Sequence, residues 1–178
     1  SFAETLEKTS PKACDFRFIW ILDRRNSNLA EVVQQAVNAR KEKALTEFVV
    51  GLDLAGDESK VSPETLAPAF QAAFAECLQL TIHAGEGQPA DSIWQAAYHL
   101  HADRIGHGLT LVDNKELLSR FRNRGICLEL CPTSNIEVIG YQPPAGSDTP
   151  AVCGELPKYP IELLWNSGVA LTINTDNP

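Results

Sequence analysis

The feature that most constrains this chain is an alternation, repeated along nearly its whole length, of short apolar runs with longer amphipathic ones. Phe16–Leu22, Phe48–Leu54, Leu80–Ala84, Arg104–His107, Ile126–Cys131 and Val169–Thr175 have the length and apolar character of buried strands. Between them, Leu29–Thr46, Pro63 to about Cys77, Asp91–His101, Asn114–Arg124 and Lys158–Asn166 carry a helical period. Asn28 is a candidate N-cap and Gly125 a candidate stop. A βαβα order with apolar strands predicts an α/β fold, a parallel sheet with helices on its outside.

The polar residues choose between two such folds. Five of the six strands end, at the C-terminal edge, in side chains able to do chemistry: Asp53-Leu-Ala-Gly56, His83-Ala-Gly-Glu86, Gly106-His107-Gly108, Pro132-Thr-Ser-Asn135 and Thr175-Asp176-Asn177. A TIM-type (β/α)8 barrel gathers its site from many strand ends on one face, whereas a doubly wound sheet concentrates it at one switch point. No Gly-x-Gly-x-x-Gly loop is present either, which removes the usual dinucleotide reading. The 178 residues, 44% of them hydrophobic, suffice for one domain with a sizeable core. Six strands do not close an eight-stranded barrel. Residues 1–178 are therefore expected to form a single barrel domain incomplete at both ends, with two strands and a closing helix outside them.

Charge and cysteine usage narrow the partners. A formal net charge of −8, with no basic stripe, argues against nucleic acid and for a small neutral or cationic molecule. Cys14, Cys77, Cys127, Cys131 and Cys153 form neither a Cys-x-x-Cys pair nor an even framework, which points to a reducing compartment. No apolar run reaches the roughly 20 residues that span a bilayer, so a cytoplasmic protein without membrane contact is expected. Oligomeric state is not legible.

The motifs carry the chemistry. His83-Ala-Gly-Glu86 sets an imidazole and a carboxylate three residues apart across a glycine turn, where both can address one reacting centre. Arg104-Ile-Gly-His-Gly108, Leu128-Glu-Leu-Cys-Pro-Thr-Ser-Asn135 and Asn174-Thr-Asp-Asn-Pro178 follow in order, each on its own strand. Together with Val49-Val-Gly-Leu-Asp-Leu-Ala-Gly-Asp-Glu58, this set resembles the adenosine deaminase family, zinc-dependent purine deaminases of the metal-dependent hydrolase superfamily. The resemblance covers essentially the whole chain and corresponds to strands three to eight of that family's barrel.

What the resemblance implies is specific. His83 matches a zinc-ligating histidine, and Asp176 the zinc-ligating aspartate. Glu86 matches the acid that protonates purine N1, His107 the catalytic histidine beside the zinc-activated water, and Gly56 a backbone donor to purine N3. The implied reaction is hydrolytic deamination of adenosine or 2′-deoxyadenosine with one Zn2+ per chain. Free adenine or another adenine-bearing metabolite is the alternative substrate, and a non-catalytic purine-binding relative the alternative role. A phosphotriesterase-like site would need a strand-end lysine, and the nucleobase-editing deaminases a Pro-Cys-x-x-Cys signature; neither occurs.

The chain departs from the family pattern in three places. The family's His-x-His pair on strand one is not in this sequence. His99-Leu-His101 does not replace it, because residues two apart on a helix project to different faces. Asn177 stands where the family usually has an aspartate touching purine N7. Glu137–Pro157, with its five glycines and prolines up to Pro150, is long for a strand-to-helix link and either covers the pocket or makes a surface excursion. Other residues keep two readings. Gly56 is a ligand contact or only a turn glycine; Asp53 orients a ligand or caps the following turn; Ser134 supports the site by its strand position. Cys127, Glu129 and Cys131 share a strand face and read as packing residues, with Glu129 held by a basic partner.

Overall fold

The computed structural model describes residues 17–42, 45–142 and 156–176. Six strands, β1 (Phe18–Asp23), β2 (Val49–Ala55), β3 (Gln79–Ala84), β4 (Arg104–His107), β5 (Cys127–Leu130) and β6 (Ala170–Ile173), form one sheet. Every neighbouring pair is parallel, and the spatial order equals the chain order. A doubly wound sheet would reverse direction at a switch point; this one advances strand by strand, as the wall of a TIM-type barrel does.

The register sorts the two faces. Leu52, Leu54, Leu80, Ile82, Ile105, Leu128 and Leu130 are at most 2% exposed. They form one core with Val33, Val37, Phe70, Ile93, Ala96, Phe121 and Leu164. The opposite parity, Asp53, Thr81, His83, Arg104, Gly106, Glu129 and Thr172, faces the inside of the curve. There Arg104 Nε pairs with Glu129, and its Nη2 donates to Thr172 Oγ1 at 3.1 Å. Arg104 is the basic partner that Glu129 requires.

The helices are α1 (Leu29–Lys41), α2 (Pro63–Leu66), α3 (Gln71–Ala75), α4 (Ala90–His99), α5 (Lys115–Arg124), α6 (Pro132–Ile139) and α7 (Ile161–Ser167). Three of the expected helices differ from the structure by more than a shift of about two residues at an end, for local reasons. α1 ends at Lys41 rather than Thr46, whose hydroxyl instead donates to the carbonyls of Arg40 and Glu42. The helix expected from Pro63 to Cys77 is divided by a 3-10 turn, Ala67–Phe70, built around Pro68, which has no N–H to continue the ladder. α7 starts at Ile161 because Pro160 biases the residue before it away from helix. Asn28 makes no side-chain cap.

α5 shows the caps working as its sequence predicts. Asn114 Oδ1 accepts from Leu117 N at 3.0 Å, and Gly125 ends the helix in the left-handed conformation, φ 68°. Asn114→Ala should cost about 1 kcal/mol. A thermal melt should show it as a drop of roughly 2–4 °C; an unchanged midpoint would mean water replaces the cap.

Candidate active site

The C-terminal strand edge carries a cavity of about 360 Å3 lined by Gly56, Glu58, His83, Glu86, His107 and Asp176, among others. β2 delivers Gly56, the turn after β3 delivers Glu86, β4 ends in His107, and Asp176 follows β6. A larger groove of about 500 Å3 lies outside the sheet between α4 and α5, lined by Trp94, Tyr98 and Arg120, and holds none of these donors.

Donor atoms of His83, His107 and Asp176 lie within 4.8 Å of one another. Two ligands of one zinc ion sit up to about 4 Å apart, twice the Zn–N or Zn–O distance, so a small inward shift would let these donors share an ion. Nitrogen and carboxylate donors suit zinc. His83 Nε2 lies 3.1 Å from Asp53 Oδ2, the kind of carboxylate–histidine pairing that orients ligating imidazoles. Asp53 is therefore not the cap of its own turn. Its other oxygen, Oδ1, is buried without a protein partner.

Electrostatics favour a cation in this cage. Burial by itself disfavours a charged His83, but the hydrogen bond and charge of Asp53, with the charges of Asp176 and Glu86, more than offset it and raise the ring above the ordinary histidine range. Cys131 is not among the clustered donors; burial, then Asp176 and Glu129, push its thiol up to about 12. Glu86 Oε1 stands 3.7 Å from His107 Nδ1.

Two site residues depend on left-handed backbone, a conformation that costs a non-glycine residue about 1–3 kcal/mol and recurs at functional sites. His107 has φ 65° and Asp176 φ 69°. Strand alternation alone would turn His107 to the helix side, with Ile105; the positive φ turns it back toward the pocket. Asp176 is held by Ser134, whose Oγ donates to Oδ2 at 2.6 Å, so Ser134 does sit beside the site. Gly56 has φ 93°, and a Cβ there would meet Asp23 Oδ1 at 2.7 Å, so the turn needs glycine whatever Gly56 contacts.

Four residues that the sequence reading did not single out organise the turn and the two central groups. Glu58 accepts from the backbone N–H of Gly85 at 2.8 Å and of Glu86 at 2.9 Å, and Arg24 Nη2 donates to the His83 carbonyl at 2.6 Å. Asn135 lies between His107 and Glu86, with Tyr159 behind it. Glu58 and Asn135 stand inside quoted motifs, but nothing local marks what they bind. Asn135 belongs to α6, whose existence corrects the expectation of loop from Glu137: Glu137–Ile139 close that helix, and Ile139 lines the pocket. Residues 143–155 of the expected loop, and Asn177, lie outside the described residues. His99 and His101 stay away from the site, against Trp94 and Tyr98 and against Phe74 respectively.

Residues 4–178 match the sequence profile of the family described as adenosine deaminase. The adenosine deaminase of Pectobacterium atrosepticum is 35% identical over 164 residues, 92% of this chain and 44% of that protein. An adenine deaminase from Chelativorans sp. is 35% identical over 131 residues, 74% of this chain and 37% of that protein. Among solved structures, a zinc-bound amidohydrolase from Burkholderia ambifaria superposes with a TM-score of 0.77 at 26% identity, over 99% of this chain and 46% of that one. The chain thus spans less than half the length of each of these relatives.

Proposed function

This chain belongs to the adenosine deaminase family, and from that premise we propose that the complete protein hydrolyses adenosine or 2′-deoxyadenosine to the inosine product and ammonia, using one zinc ion per chain. One observation carries the reading: the His83, His107 and Asp176 donors lie within 4.8 Å of one another at a pocket that Glu86 also lines. The pocket fits a small molecule, and no helix among the described residues is long and apolar enough to cross a membrane.

The residues divide the work. A zinc ion on His83 and Asp176, completed by ligands from outside residues 1–178, would supply an acidified water at neutral pH. Glu86 gives a proton to purine N1 as water adds at C6; one proton of that water leaves with the amino group as ammonia, and the other returns to Glu86 as the C6 carbonyl forms. His107 borders the water's position, and the backbone N–H of Gly56 meets N3. Asp53 holds the His83 ring and Ser134 the Asp176 carboxylate, so both ligands are oriented before an ion arrives. Asn177 takes the place facing N7, where its amide supplies a donor at any pH. In this reading residues 1–178 are one barrel domain continued by further strands, and Ile139 brings the start of segment 137–157 to the pocket wall.

A second reading, free adenine as substrate, is favoured by the equal 35% identity to the Chelativorans adenine deaminase. The test compares ammonia release from adenosine, 2′-deoxyadenosine and adenine by the complete protein, before and after chelation. Turnover of the nucleosides should require zinc at about one ion per chain and return when zinc is restored. Residues 1–178 alone, holding part of the ligand set, should bind zinc weakly. Preference for adenine would replace the first reading with the second; chelator-resistant zinc in the isolated segment would sink the ligand assignment.

A further inference from the structure

Asn135 is completely buried, 0% exposed, and every polar atom of its side chain is engaged. Nδ2 lies 2.9 Å from His107 Nδ1 and 3.2 Å from Glu86 Oε1; Oδ1 accepts from the Tyr159 hydroxyl at 3.2 Å. An amide NH2 has two hydrogens, and here it meets two acceptors. Turned over, the amide would set its oxygen against the carboxylate oxygen and leave its hydrogens toward Tyr159. With Oε1 of Glu86 as an unprotonated acceptor, the orientation that satisfies all three partners is the one with Nδ2 toward the pocket. Tyr159 is compatible with it: burial, chiefly, keeps its phenol above the ordinary tyrosine range, so the hydroxyl retains the hydrogen that Oδ1 accepts.

We propose that Asn135 is a positioning residue for the deamination, keeping Nδ1 of His107 an acceptor so that the ring's proton sits on Nε2, and making Oε1 the accepting oxygen of Glu86. Glu86 then carries its transferable proton on Oε2, the oxygen not engaged by the amide. One amide thus coordinates the proton positions of the two groups on which the proposed chemistry turns. The inference rests on the deaminase reading for its catalytic consequence, but its structural half stands apart from it.

The test reads the tautomer directly. In the complete, zinc-loaded protein labelled with 15N-histidine, at about pH 8 where an ordinary histidine is neutral, the His107 signals are assigned by their loss in His107→Gln. Wild-type His107 should show an unprotonated, hydrogen-bonded Nδ1. In Asn135→Asp a carboxylate that only accepts replaces the donor, so the protonated nitrogen should switch to Nδ1. Asn135→Leu, which offers neither donor nor acceptor, should yield mixed tautomers. For both variants kcat should fall about 10- to 100-fold, the range for removing an orienting partner, with KM changed by less than about threefold. A wild-type protein protonated at Nδ1 overturns the proposal without any variant, and so does Asn135→Asp with the wild-type tautomer. If the tautomers behave as expected but the wild type releases no ammonia from any of the three purines, the deaminase reading falls and the placement of the His107 proton stands.

Discussion

Replacing Glu86 with glutamine is expected to leave the bound metal in place and to slow adenosine turnover by ~10² or more. The side chain keeps its size, and the amide oxygen can still accept from Asn135 Nδ2, as Oε1 does at 3.2 Å. The backbone of residue 86 remains tied to the Glu58 carboxylate through its N–H. What disappears is the transferable proton. Glu86 is not among the clustered donors His83, His107 and Asp176, so zinc content should match the wild type. Metal analysis and steady-state kinetics on the same preparation separate the possibilities. Loss of metal together with rate would make Glu86 a ligand, and undiminished turnover would leave the proposed reaction without its acid.

Gly106→Ala should be nearly as damaging, although residue 106 contributes no functional group. A Cβ there would stand 2.5 Å from His83 Cδ2 and 3.0 Å from its Cγ. Gly106 and His83 are register partners on β4 and β3, so the backbones have little room to separate. The imidazole must move instead, and it is held on one side by Asp53 and packed edge-on against His107 with centroids 4.8 Å apart. Crowding of this kind costs about 1–3 kcal/mol in stability. Displacing an oriented ligand should further weaken zinc by roughly 10- to 100-fold, with turnover falling in step. Zinc titration by competition with a chelator, beside a thermal melt, checks both. A Gly106→Ala protein with wild-type zinc affinity would show that the His83 ring is free to tilt without consequence, and would weaken its assignment as a ligand.

The strands and the chemistry-bearing motifs were legible because their signals are local. Apolar runs of strand length alternate with helical periods, and the caps of α5 bond within three residues of themselves. α6 leaves no such local signal: it has only eight residues, opens on Pro132, and begins just past the end of β5. The order of strands in the sheet also followed from sequence, since a run of parallel βα units with sites on five strand ends is economical only as a barrel wall.

By itself, then, the sequence determined the α/β architecture and singled out His83, Glu86, His107 and Asp176, which the structure gathers at one pocket. Tertiary structure alone decided how those residues meet. Arg24 reaches the His83 carbonyl across 59 residues of chain, Glu58 holds the backbone of Glu86 across 28, and Asn135 finds His107 across another 28. His107 faces the pocket only because its φ of 65° reverses the strand parity that would have turned it away. Hydrogen bonds at such separations, and a backbone angle that local propensity disfavours, are held by packing of the whole sheet against its helices, and no window of the sequence contains that packing.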